Sequence, residues 1–211
     1  MTKQKYNGHY ICHVNQSKTE RTRAYIIEMT APIFNKQGYA GTSITDLTAA
    51  TKLTSGSIYG NFANKEEVAL AALDYNINCF MKGLSTATAK AKTPKDKLFG
   101  YIKAFSSSGS MRFHDGGCPI QNALCDADDT MEPLRQRAAE GLKAWKQELA
   151  AMVDQGILEG IFKADTKSDQ IALHVIALCE FAMSTYSATK SLKQTDEILD
   201  MAIEVAKAIM I

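Results

Sequence analysis

The sequence predicts an all-α fold in which an N-terminal three-helix head carrying a helix-turn-helix is followed by a larger C-terminal helical body. Three observations carry this. Only 4 Pro and 13 Gly interrupt 211 residues dominated by runs rich in Ala, Leu, Ile, Lys and Glu. Apolar residues recur at spacings of three and four. Helix-capping patterns punctuate the chain at Ser43/Asp46, Asn64/Glu67 and Thr93-Pro94. A hydrophobic content of 45% is ample for a buried core. The expected divisions are an arm over 1–18, a helix-turn-helix unit over 19–66 and a body over 67–211.

Residues 1–17 are polar and aperiodic and read as a mobile arm, the alternative being an arm that reaches into a DNA minor groove with Lys3 and Lys5. From Thr19 to Gln37, Ala24, Ile27, Ala31 and Phe34 line one helix face, and Gly38 ends the helix. Ser43 caps the next helix, with Ile44, Leu47 and Ala50 on its apolar side. Lys52, Leu53 and Thr54 then form a turn. Thr54 caps a very short helix that buries Ile58 and Phe62 and turns Ser55, Gly56, Ser57, Tyr59 and Asn61 elsewhere. Small polar residues at the start of a short helix suit base edges in a major groove. A further helix starts at Lys65, where amide dipoles and the lysine charge suit a phosphate, and runs through Leu84 without a breaker. Helix-turn-helix geometry also occurs in proteins that never touch DNA.

Gly38-Tyr39, Thr42-Ser43, Gly56-Ser57-Ile58-Tyr59, Phe62 and Lys65-Glu66-Glu67 together resemble the signature of the TetR family of bacterial repressors, over roughly Thr19 to Ala72. The resemblance implies a homodimer that binds a palindromic operator in double-stranded DNA through Thr54 to Phe62 and answers to a small-molecule ligand or reactive electrophile. It implies that Thr45, Ser55, Gly56 and Ser57 approach bases. Thr42, Ser43, Tyr59, Asn61 and Lys65 would hold phosphates. Two positions depart from the pattern: Asn61 stands where the family usually has His, and Gly60 where it often has an aromatic residue.

In the body, Thr93-Pro94 opens a helix with Leu98, Tyr101, Ile102 and Phe105 on its face, and Ser106 to Gly117 reads as a loop or frayed end. Helices follow from Cys118-Pro119, from Met131 to Gly156, from Ser168 to Thr189 and from Thr195 to Ile211, with Gly156 and Gly160 ending the second of these. An effector pocket would draw on Phe80, Leu84, Tyr101, Phe105, Met111, Phe113, Asn122, Trp145 and Met152, residues that any helical core also needs. The last two helices are apolar on more than one side. By the resemblance they pair two chains through Ile171, Val175, Leu178, Phe181, Ala182, Leu199, Ile203 and Ala206, which could instead fill the core of one chain. Cys118, at a helix start, is a ligand or sensor candidate because free amides stabilise a thiolate, as some TetR-like repressors with Gly-Cys at this point exploit; otherwise it is an inert half-buried cysteine.

Net charge is +1, with only a slight basic excess before Tyr75, so no general affinity for nucleic acid follows from charge. Five cysteines, Cys12, Cys79, Cys118, Cys125 and Cys179, form no CxxC pair, which speaks against a disulfide framework or a zinc site and for a reducing cytoplasm. No signal-peptide core and no apolar run near 18 residues is expected, and hence no membrane. An enzyme is the alternative of a different class, but there is no Glu-x-x-His, HExxH, phosphate-binding Gly loop or serine elbow. Asp115, Asp126, Asp128 and Asp129 could hold a cation or be a solvated helix end. A helical interaction module is a third reading. No cofactor is expected.

Overall fold

The computed structural model describes residues 17–111, 116–127 and 131–211. The arm with Lys3, Lys5 and Cys12, together with Phe113, Asp115, Asp128 and Asp129, lies outside the described residues. The helices are α1 (Lys18–Gly41), α2 (Ile44–Thr51), α3 (Ser55–Tyr59), α4 (Lys65–Thr88), α5 (Pro94–Lys103), α6 (Pro119–Ala127), α7 (Glu132–Leu158), α8 (Ser168–Thr189) and α9 (Leu192–Ala208). Among the described residues the only extended pairing is one antiparallel bridge between Phe162 and Met210.

Local chemistry sets most of the boundaries. Ser17 and Glu20 form a capping box that starts α1. Gly38 then breaks the helix with φ 73° and ψ 176°, and Tyr39 to Gly41 make a last separate turn. Ser43 with Asp46 opens α2, Thr54 caps α3, and Thr93 with Pro94 opens α5, all as expected. Two details differ. α7 runs through Gly156 to Leu158, because Gly156 lies under the Phe162 ring, where a Cβ would come within 2.1 Å of the ring carbon. Gly160, at φ 66°, is the turn that follows. α9 begins earlier than expected, at Leu192, since Ser191 supplies its cap.

Two buried clusters result. One gathers Ile26, Phe34, Leu47, Ile58, Phe62, Val68 and Leu73 of the head with Ala123, Leu134 and Ala138 of α6 and α7. The other fills the body with Phe80, Leu98, Tyr101, Phe105, Trp145, Val153, Val175 and Leu199. α4 contributes to both, so it joins head to body as a single rod. The head core does not stop at residue 66; it continues onto α6 and the first half of α7.

Polar bonds fix that joint. The Tyr39 amide donates to Asp126 Oδ2 at 2.6 Å, Asn122 Nδ2 donates to the Asn35 carbonyl at 3.0 Å, and Asn35 Nδ2 donates to the Gly117 carbonyl at 3.2 Å. Asn76 of α4 donates to the Ala31 carbonyl at 2.8 Å, and Arg137 of α7 pairs with Asp74 of α4. Asp126 is therefore engaged with α1, and among the described residues no group of three acidic, Cys or His side chains could hold a metal ion.

The expectation that no helix is apolar and long enough to cross a membrane fails for α8. Its 22 residues include an 18-residue window of mean hydropathy 1.4. The physical reason is that α8 is apolar on two faces: Ala172, Val175, Cys179 and Ala182 are buried against the body, whereas Leu173 and Phe181 face outward.

Gly38 serves the joint in two ways. Its φ is positive, and a Cβ there would lie 2.6 Å from Asp126 Oδ1. Gly38→Ala should therefore cost about 2 kcal/mol, from the left-handed backbone and the displaced Asp126 bond. Urea denaturation measures this, and an unchanged midpoint would show that the joint does not hold the head.

Candidate nucleic-acid interface

α3 is too short to hold itself, since one turn of helix leaves more backbone fixed than it gains in hydrogen bonds. Three anchors hold it. Ile58 and Phe62 are buried in the head core. Lys52 adopts the left-handed conformation, φ 56°, and donates its amide to the Thr48 carbonyl, which ends α2 and swings the chain into the turn. Arg23 of α1 supplies the third anchor. Its guanidinium stacks over the Phe62 ring at 4.0 Å, pairs with Glu67 Oε1 at 2.8 Å and donates to the Asn61 carbonyl.

Glu67 completes this staple. Its Oε2 accepts from the Ala63 amide at 2.6 Å, and that bond together with Arg23 holds the carboxyl below its usual range. The expected capping box with Asn64 is thus half formed. Asn64 Oδ1 accepts from the Glu67 amide at 2.9 Å, but Glu67 returns to Ala63 instead of Asn64. Tyr25, also absent from the sequence reading, donates its hydroxyl to the Thr51 carbonyl at 2.9 Å and ties α1 to the end of α2.

With α3 pinned on one side, its other side is bare. Thr54, Ser55, Gly56, Ser57 and Tyr59 are exposed, Tyr59 by 43%, and Ser43 and Thr45 are exposed at the start of α2. The Thr54 hydroxyl accepts from the Ser57 amide at 3.1 Å and donates to Ser57 Oγ at 3.2 Å. Over Gly56 the space is open, the nearest atom to a Cβ being Thr54 Oγ1 at 3.9 Å, so a flat surface can approach the backbone. The result is a small, polar, rigid ridge of the size that enters a major groove.

Three of the expected phosphate holders are placed differently. Thr42 is buried and donates its hydroxyl to the Gly38 carbonyl at 2.6 Å. Lys65 points back, donating at 2.9 Å to the carbonyls of both Tyr39 and Thr42 and lying 4.1 Å from the Tyr39 ring centre. Asn61 is half-buried and returns its amide to the Ser57 carbonyl at 2.9 Å. In each case an unsatisfied main-chain carbonyl close by captures the donor.

The effector candidates separate as well. Phe80, Leu84, Tyr101, Phe105, Met111, Cys118 and Trp145 are all buried in the body core, and Met152 packs against them. They fill that core, and none of them lines the cavity at the joint. Asn122 belongs to the joint. There a cavity of about 410 Å³ lies between α1, α4, α6 and α7, lined by Asn35, Tyr39, Leu73, Asn122, Cys125 and Leu134 among others.

Cys118 does sit at the start of α6, and the amides of Ile120 and Gln121 favour its thiolate. Burial outweighs them, and with the neighbouring Glu180 carboxylate it pushes the thiol well above the ordinary cysteine range. The expectation of an activated thiolate is corrected accordingly.

The pairing candidates on α8 and α9 divide into two sets. Val175, Ala182, Leu199 and Ala206 are buried in the core of their own chain, which rules them out as a surface. Ile171, Leu178 and Ile203 are half-buried. Phe181 is 63% exposed, and it is joined outside by Leu173 and Met201, which the sequence reading missed. Periodicity alone cannot say which of two apolar faces looks outward.

Comparison with known proteins agrees with this geometry. Residues 26–72 match the model for bacterial regulatory proteins of the tetR family, and residues 94–202 match that for the tetracyclin repressor-like C-terminal domain. A TetR-family transcriptional regulator from Cytophaga hutchinsonii superposes with a TM-score of 0.89 at 41% identity, over 94% of this chain and 99% of that one. A TetR regulator from Chloroflexus aurantiacus follows with 0.81 at 31% identity, over 90% and 94%. The transcriptional repressor DhaR of Mycobacterium sp. strain GP1 is 23% identical over 86% of this chain and 90% of its own. With a head built to present α3 and a helical body behind it, the chain belongs to the TetR family and is a DNA-binding transcriptional regulator.

Proposed function

We propose that the chain represses transcription as a homodimer, laying the exposed side of α2 and α3 into successive major grooves of a palindromic operator, and that a small molecule entering the body core releases it. The carrying observation is the polar ridge of Thr54, Ser55, Gly56, Ser57 and Tyr59 held rigid by Ile58, Phe62 and Arg23. Thr45, Ser55, Gly56 and Ser57 take base edges. Ser43 and Tyr59 take phosphates. Lys65 acts on DNA through position more than contact, by fixing the turn from α1 into α2. Serine hydroxyls discriminate bases poorly, so groove shape supplies part of the specificity.

The exposed Leu173, Phe181 and Met201 support pairing through α8 and α9, because large apolar side chains standing out from these two helices would be covered on both chains by a two-fold axis. Operator DNA and a cytoplasmic setting follow from this reading. The test is fluorescence anisotropy on sequences selected from random DNA, run across a salt series. Tight binding of two chains per site that weakens steeply with salt supports it, and no selection above background would overturn it.

Three outcomes are expected. Thr45→Ala and Ser57→Ala should alter the preferred sequence by about 1 kcal/mol of discrimination or less while leaving the salt slope intact. Arg23→Ala should weaken binding to every sequence and lower the melting temperature, since it releases α3 and strands Glu67; denaturation and anisotropy read the two effects together. Phe181→Glu with Met201→Glu should give a monomer in sedimentation analysis with its helical content unchanged.

A further inference from the structure

The cavity at the joint, about 410 Å³, has the volume of a small-ligand pocket and lies outside the body core. The end of α1 and the middle of α4 wall it on the head side, α6 and the start of α7 on the body side. Hydrogen bonds fix these walls in place. Asn122 Nδ2 of α6 reaches the Asn35 carbonyl at 3.0 Å, Asn35 Oδ1 at 3.2 Å and the Gly116 carbonyl at 2.6 Å, and the Tyr39 amide donates to Asp126. On the opposite side Asn76 Nδ2 of α4 donates to the Ala31 carbonyl at 2.8 Å. The joint therefore cannot close over the cavity without breaking bonds from α1 to α4 or to α6.

The lining has a definite chemistry. Phe34, Leu73, Ala123 and Leu134 are buried and give it apolar walls. Lys36 and Asp126, both less buried, bring charges of opposite sign, so the cavity as a whole favours neither an anion nor a cation. Asn76 lines the cavity at only 7% exposure with its carboxamide half used: the amide is bonded to Ala31, and among the described residues the oxygen accepts nothing. Asn122 is in the same condition, its nitrogen committed three times over and its oxygen to nothing. What the cavity lacks is a donor, since a buried carboxamide oxygen among apolar walls is costly until one meets it.

We infer that the joint cavity is a small-molecule site separate from the body core, and that it takes an uncharged aromatic molecule carrying an N–H or O–H donor. The ring lies among Phe34, Leu73, Ala123 and Leu134, and the donor meets Asn76 Oδ1. A second donor, where the molecule has one, meets Asn122 Oδ1. A hydrocarbon leaves both oxygens unmet, and an ion brings a charge for which the cavity holds no matching excess. An occupant touches head and body at once, so it favours the arrangement of α1 and α6 that shapes the cavity, and operator affinity shifts with it. The site stands without the functional reading; its effect on operator affinity rests on that reading.

The probes are indole and benzofuran, which share a shape and differ in the N–H donor, with tryptamine and indole-3-acetate to add charge of either sign. Each is titrated into the full-length protein by calorimetry. Indole should saturate at one molecule per chain, with the other three at least tenfold weaker. Cys125 lines the cavity and is exposed, so it reports the location. Its alkylation by iodoacetamide, followed by peptide mass spectrometry, should slow at least threefold under saturating indole while that of Cys79 does not. Asn76→Ala should erase the preference for indole over benzofuran. Because that variant also loses the bond to Ala31, Ala123→Met serves beside it: it narrows the cavity, removes no polar bond, and should weaken indole at least tenfold with the melting temperature retained. No saturable binding at millimolar indole, equal binding of indole and benzofuran, unchanged labelling of Cys125, or full indole binding to a folded Ala123→Met would overturn the inference. Anisotropy on the selected operator runs in parallel. A threefold or larger change in affinity under saturating indole supports the coupling, and no change removes the coupling but keeps the site. Failure to bind any DNA would remove the functional reading and leave the site to the calorimetry.

Discussion

The Arg23 guanidinium is the contact on which the DNA-facing side of the molecule depends. It touches three things at once: the Phe62 ring, the Glu67 carboxylate and the Asn61 carbonyl. Those groups belong to the residues just past α3 and to the first turn of α4, while Arg23 itself sits on α1. One side chain thus fixes how the exit of α3, the start of α4 and the first helix lie relative to one another. A planar group with several donors can do this, whereas a lysine at the same position would offer a point charge without the stacking face. The pair is partly exposed, so its worth lies in geometry more than in stability. Ile58 and Phe62 provide the burial; Arg23 provides the angle.

Behind that ridge the head and the body share one packed and hydrogen-bonded joint. The head core includes Ala123, Leu134 and Ala138, and the end of α1 is tied to α6 by Asp126 and by the Asn35 and Asn122 amides. A message from the body therefore has two routes, the α4 rod and the α1–α6 joint. Their lever arms differ. A shift of α4 moves the staple at Glu67, whereas a shift of α6 acts at Gly38 and Tyr39, next to the carbonyls that Lys65 holds. Coupling of this kind requires only that a ligand prefer one arrangement of α6 and α4 over another.

Much of this was legible from sequence, and the reasons for the remainder are specific. Caps at Ser43, Thr54 and Thr93 are local chemistry, so the boundaries of α2, α3 and α5 could be read from neighbouring residues. The side chains that had to be found by distance were not legible. Arg23 and Glu67 are far apart in the chain, and nothing local marks them as partners. Lys65 was legible as a charge at a helix start, but a long flexible side chain goes to whichever acceptors the fold puts within reach, here the two carbonyls at the end of α1. Cys118 shows the same limit in another form: the amide effect is local and visible, the burial that overrides it is not.

α8 illustrates how one helix can serve two tasks at once. Cys179 and Glu180 face the body core, and Phe181, the next residue, faces outward. Apolarity on both sides gives α8 the composition of a membrane span, although each side answers a different demand. The neighbourhood also has a mechanical consequence under the functional reading above. Glu180 lies on the same helical turn that presents Phe181, and a helix is stiff along its axis. Any displacement of the inner face of α8 at Glu180 must carry Phe181 with it, because successive residues of one turn cannot move independently. In a two-fold dimer the displacement occurs on both sides of the axis, so the spacing between two α3 ridges would change by more than either protomer moves alone. An operator with half-sites at fixed separation is sensitive to that spacing.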